Sequence, residues 1–127
     1  MCLEYCTRKR IEHNNTKRFD TLFFLDVADT PEKARIGLSH RFSLDENKGM
    51  LFSSHDSHIT MWMKDTYIPL DMVFFDETGR IVDIYTAQPL DLTPISPKQP
   101  VAGVVELVGG ICEKLGIKKG NMMQFIE

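Results

Sequence analysis

Two short runs, Leu70-Asp71-Met72-Val73-Phe74-Phe75 and Ile81-Val82-Asp83-Ile84-Tyr85-Thr86, flank Asp76-Glu77-Thr78-Gly79. Both runs are dense in β-branched and aromatic residues, which suit a pleated, half-buried surface. The connection ends in glycine, where a reversing chain wants a positive φ. The spacing predicts a β-hairpin, and a hairpin is stable only when further strands or a helix cover it. The remaining sequence offers that cover. Residues 19–27 (FDTLFFLDV) read as a strand, 49–52 as a short apolar strand, and 122–126 as a final strand. Residues 101–107 read as a strand or as a strand running into a helix, with a short helix over about 106–115 that Gly116 caps. Asp29-Thr30-Pro31-Glu32 is a helix start, with the helix running to about residue 40 and Gly37 inside it marking close packing. Prolines 89, 94, 97 and 100 make the intervening stretch an irregular crossover. The expected fold is mainly β: a single-domain antiparallel β sandwich or barrel-like fold with two short α-helices.

Residues 1–18 show no periodicity and are locally basic, so they read as a poorly ordered tail ahead of one domain over 19–127. A chain of 127 residues suffices for one core. The net charge of −3 argues against a phosphate-backbone binder, so no nucleic-acid partner is expected. No apolar stretch has the length of a membrane span, and the N-terminus has no signal-peptide core. The chain reads as cytoplasmic, or as periplasmic or exported if a leader precedes it. Monomer is the default state.

Cysteines at 2, 6 and 112 make no disulfide framework. Cys2 and Cys6 form half of a metal site with no second half, and Cys112 reads as a buried thiol. His55 and His58 flank Asp56 in a serine-rich loop that reads as surface rather than as a metal site. Neither a metal nor a cofactor is expected. Triad order, glycine-rich phosphate loop and zinc-helix motif are all missing from the sequence.

The chemistry concentrates in Ile59-Thr60-Met61-Trp62-Met63-Lys64-Asp65-Thr66, which holds the only tryptophan. Read as a strand, it places Ile59, Met61 and Met63 on one face and Thr60, Trp62 and Lys64 on the other. The second face mixes an aromatic ring with a charge, as a site often does and a core strand does not need.

Three stretches carry a family resemblance: Ala34-Arg35-x-Gly37-Leu38-x-x-Arg41, then Gly49-Met50-Leu51-Phe52, then Trp62-Met63-Lys64-Asp65-Thr66-x-Ile68-Pro69-Leu70-Asp71. Together with Pro89, Val105-Glu106-Leu107-x-x-Gly110 and Leu115-Gly116-Ile117-x-x-Gly120, this order resembles the bacterial and archaeal family known as domain of unknown function 192, over 19–127. The resemblance implies a compact β-rich fold and no established activity. Three positions depart from the family pattern: Ser39 stands for methionine, Asp65 for asparagine, and Val108-Gly109-Gly110 for Asn-Ala-Gly. Asp65 puts a carboxylate beside Lys64 where the family has an amide.

The candidate ligand-binding residues are Arg41, Trp62, Lys64, Asp65, Thr66, Asp71 and Glu106. Pairing about Tyr67-Ile68 would set Lys64 opposite Asp71, either as a cross-strand ion pair or as a pair presented to a ligand. Trp62 is a stacking platform or a core tryptophan. Arg41 clamps an anion or bridges Asp45 or Glu46. Glu106, set among Val104, Val105 and Leu107, needs a partner if buried, and caps a helix or serves a site. If Glu106 and Asp71 converge, the two are candidate catalytic carboxylates of a hydrolase or lyase. The expected function is therefore a binding module for a small polar or anionic ligand, with saccharides among the candidates. The alternatives are a paired-carboxylate enzyme and a scaffold for protein partners.

Overall fold

The computed structural model describes residues 4–13, 17–54 and 58–126, with side chains described over 21–54 and 58–125. Cys2, Cys6, His55 and Asp56, weighed above as metal ligands, lie outside the described side chains. The elements in chain order are β1 (Glu4–His13), β2 (Lys17–Val27), α1 (Pro31–Ile36), β3 (Lys48–Ser53), β4 (Leu70–Phe75), β5 (Ile81–Ala87), β6 (Gly103–Val108), α2 (Ile111–Leu115) and β7 (Met122–Ile126).

The hairpin forms as β4 and β5, in register from Leu70↔Ala87 to Phe74↔Asp83, with a bulge before Phe75. Asp76 ties its loop together by accepting from the Thr78 amide, the Thr78 hydroxyl and the Arg80 amide. Around this hairpin all seven strands join one sheet in the order β5-β4-β6-β3-β2-β1-β7. The expected all-antiparallel pairing is corrected at one place. β2 and β3 run parallel, because α1 and the loop after it carry the chain back before β3 begins. The sheet curls until its ends meet at one corner. Arg80 bridges Met122, and the Ile81 and Met123 amides donate to Asn121 and Gly79 carbonyls at 2.8 and 2.7 Å. It is therefore barrel-like without closing along its length. Residues 4–13, read from sequence as tail, form β1, with backbone partners in β2 on one side and β7 on the other.

Both helices are shorter than the sequence suggests. Thr30 caps α1 by accepting from the Lys33 amide at 3.1 Å, as its hydroxyl predicts. The helix ends at Ile36 because Gly37 takes a φ of 52°. That glycine also marks close packing, since a Cβ there would sit 3.3 Å from the Phe52 ring. α2 begins at Ile111 rather than 106. Residues 103–108 stay extended because β6 is central, paired to β3 and β4 at once, and Gly110 at φ 90° makes the break.

The sheet separates two cores. On one face Phe23, Leu25, Val73, Val105 and Leu107 pack with Ile111 and Cys112 of α2. On the other, Met50, Met72, Phe74 and Val104 are covered by Leu38, Met63, Ile95 and Val101, which come from irregular segments. The candidate site is built on this second face.

Candidate functional site

The run through Trp62 lies across the second face as extended chain rather than as a strand. Met61 exchanges both backbone hydrogen bonds with Ile95 at 2.8 Å, the Met63 amide donates to Asp91 O, and the Leu90 amide donates to Thr66 O. Its partner is thus the proline-rich crossover. Prolines at 94 and 97 bracket Ile95 and remove the donors a longer ladder needs. The expected division of faces nevertheless holds: Met63 is fully buried, while Thr60, Trp62 and Lys64 face outward. Trp62 is 52% exposed, and the Lys64 ammonium lies 5.4 Å from its ring centroid.

Beside Trp62 is a cavity of about 500 Å³. Its walls come from the end of α1 and the following turn (Arg35, Ser39, His40) and from the run Thr60, Trp62, Lys64, Asp65 and Thr66. The two walls are joined backbone to backbone, the His40 amide donating to Asp65 O at 2.7 Å. Both residues are left-handed, His40 at φ 66° and Asp65 at φ 53°. Asparagine and aspartate are the non-glycine residues that best tolerate this region. Asp65 therefore keeps the backbone geometry an asparagine would adopt, while placing a carboxylate on the cavity wall. Asp65→Asn is expected to leave the urea midpoint nearly unchanged, and Asp65→Val to cost about 1–2 kcal/mol. Equal midpoints for Val and Asn would show that the left-handed turn is not under constraint.

Glu106 completes the lining. It stands on β6 between its cross-strand neighbours Met50 and Met72 and is only 3% exposed. No hydrogen bond or ion pair reaches its carboxyl group among the described residues. Burial alone pushes its pKa up to about 8, so the group is mostly a neutral acid at pH 7. A buried, unsatisfied carboxylic acid beside open space is costly unless something occupies that space.

The other two expected residues lie elsewhere. Asp71 pairs in register with Leu107, one residue along from the Met72↔Glu106 pair, so Asp71 and Glu106 project from opposite faces. They do not converge, and the paired-carboxylate mechanism loses its geometry. Nor does Asp71 meet Lys64. It accepts from the Thr86 hydroxyl at 2.7 Å and from the Gly110 and Cys112 amides at 3.0 and 2.9 Å, capping α2 from across the chain. The left-handed Asp65 and the missing donor of Pro69 stop the run through Trp62 from continuing into β4. Arg41 faces Asp26 at 3.8 Å, outside the cavity lining, while Glu46 pairs with Lys114 at 2.9 Å. Arg35 and Ser39 stood out in the sequence only as family-motif positions, and neither they nor His40 were expected at the site. The one available signal was Gly37, whose turn brings His40 against Asp65.

The fold and its cavity define a class: a curled mixed-sheet domain with a pocket between the sheet and an irregular cover. The model of domain of unknown function 192, described as an uncharacterised ACR, matches residues 11–125, and the chain belongs to that family. Two solved structures share the fold at 30% identity. One is titled a putative transcription regulator from Sinorhizobium meliloti 1021, with a TM-score of 0.86 over 98% of this chain and 95% of that one. The other is a protein of unknown function from Novosphingobium aromaticivorans DSM 12444, with a TM-score of 0.81 over 97% of this chain and 84% of that one. No curated protein matches the chain.

Proposed function

We propose that the cavity beside Trp62 binds a small polyhydroxylated ligand of the saccharide class. The observation that carries this reading is Glu106, a buried carboxyl group that lines an open cavity and has no partner among the described residues. A ligand hydroxyl satisfies that group in either direction, since a neutral acid both donates and accepts. Trp62 offers the apolar face of a sugar ring a stacking surface. Thr60, Ser39 and Asp65 add polar atoms around the mouth. The reading is a binding module, because the second carboxylate that hydrolysis would recruit from Asp71 faces away.

A nucleic-acid-binding reading finds less support. The chain carries a net charge of −3, and the two helices among the described residues have six and five residues, too short to read a groove as a recognition helix does.

Trp62 is the sole tryptophan, so its fluorescence reports directly on the cavity. Titration with a panel of mono- and disaccharides is expected to give a saturable change in emission. Glu106→Met retains the fluorophore and is expected to weaken binding about tenfold or more, through loss of a buried hydrogen bond. Unresponsive emission across the panel, or a Glu106→Met protein that binds as well as wild type, defeats the reading.

A further inference from the structure

We infer that the ligand of this cavity is an acidic sugar, a pyranose ring bearing a carboxylate, held at the mouth by Lys64 and Arg35. The inference rests on the saccharide reading above and deepens it.

The charges around the cavity are unevenly paired. Lys64 and Arg35 both line it, both are exposed, and neither makes an ion pair among the described residues. Four other described cations are held in ion pairs: Lys33 with Asp29, Arg41 with Asp26, Lys114 with Glu46, and Lys119 with Asp83. Two uncommitted cations thus border one opening on a chain whose net charge is negative. Among the described residues the Lys64 ammonium meets the face of Trp62. A cation–π contact at an exposed site is worth about 0.5–1 kcal/mol, so it yields readily to a carboxylate.

The acidic groups do not oppose an anion strongly. Glu106 is kept neutral by its burial, so it donates a hydrogen bond to the ligand instead of repelling it. Among the described residues Asp65 is the one other carboxyl group on the lining, against the two cations. A sugar seated with its ring on Trp62 and a hydroxyl toward Glu106 directs an exocyclic carboxylate at the rim, where Lys64 stands. Arginine adds a planar pair of donors matched to carboxylate geometry.

Matched sugars isolate the carboxylate. Glucuronate, galacturonate and mannuronate differ from glucose, galactose and mannose by a carboxylate in place of the hydroxymethyl group. In the Trp62 fluorescence titration at pH 7 and low salt, at least one acidic sugar is expected to bind about tenfold more tightly than its neutral counterpart. That advantage is expected to shrink as salt is raised. Lys64→Met and Arg35→Met are each expected to lower the acidic-to-neutral affinity ratio about threefold to fivefold. Both positions are exposed, and a urea midpoint on each variant confirms its fold. An oligogalacturonide binding more tightly than the monomer identifies a polymer fragment as the source; equal affinity identifies the free sugar. Equal binding of acidic and neutral sugars overturns the inference while leaving the saccharide site standing. Binding of neither overturns both. A preference for the acid that survives both substitutions also overturns it, because the two cations would not be its cause.

Discussion

Asp71→Ala is expected to destabilise the protein by about 2–4 kcal/mol, read as a lowered urea midpoint with an unchanged slope. The carboxylate is 1% exposed and accepts three hydrogen bonds. Its partners differ in what they lose. The Cys112 amide lies in buried backbone at the first turn of α2, whereas Gly110 and Thr86 lie closer to water. Gly110 has no side chain with which to cap the helix, so Asp71 performs that task from β4. Asp71→Asn is expected to cost less, about 2 kcal/mol. One amide oxygen replaces the acceptor of Thr86 and Gly110, but the NH₂ group then faces the Cys112 N–H, donor against donor. A loss under about 0.5 kcal/mol in Asp71→Ala would mean that apolar packing of Ile111 and Cys112 alone seats α2. The same substitutions are expected to leave the saccharide affinity of folded protein intact, since Asp71 faces away from the cavity.

Glu106 produces the opposite kind of effect, a group whose removal stabilises. In the unfolded chain its carboxyl titrates near the ordinary value of 4.5; in the fold burial moves it to about 8. Below about pH 4.5 both states hold the proton and the fold carries no ionisation penalty. Between 4.5 and 8 the unfolded chain ionises first, so stability falls as pH rises. Above about 8 the full cost is reached, at most roughly 5 kcal/mol from the size of the shift. Glu106→Met places a side chain of similar volume between Met50 and Met72 and removes the titration. The variant is expected to match wild type within about 1–2 kcal/mol at pH 5 and to exceed it by several kcal/mol at pH 9. Urea midpoints at pH 5, 7 and 9 test this, with the difference between proteins cancelling every other titrating group. Parallel pH profiles for the two proteins would refute the buried acid. A residue that costs stability at neutral pH and makes no internal bond is the pattern expected of a binding group, in which stability is exchanged for function.

The hairpin was legible because its signal is local. Alternating β-formers on either side of Asp76-Glu77-Thr78-Gly79 decide the pairing of β4 and β5 without help from the rest of the chain. The outward turn of Trp62 and Lys64 was legible for the same reason: a two-residue period survives even where the chain forms only one isolated bridge. Membership of the family was readable from motif order, which tertiary contacts do not alter. The roles of Asp71 and Glu106 were not readable. Both are acids in apolar runs, and only the strand register tells which face each occupies. One residue of offset sends Asp71 to cap α2 and Glu106 to the cavity. The place of Arg35, Ser39 and His40 at the site was hidden because the wall they form meets the Trp62 run through the backbone bond of His40 to Asp65, a contact between distant segments.

By itself, then, the sequence determined what depends on neighbours along the chain: the hairpin, the capped start of α1, the Gly116 stop of α2, and the apolar and polar sides of the run through Trp62. The tertiary structure alone decided what depends on neighbours across it. That includes the choice of one curled, barrel-like sheet over a sandwich, the parallel pairing of β2 with β3, and the face on which each buried carboxyl group lies. The physical reason is that backbone propensity and side-chain period act over a few residues. Burial, by contrast, is assigned only when strands from both ends of the chain take their register, and it is burial that leaves Glu106 a neutral acid facing an open cavity.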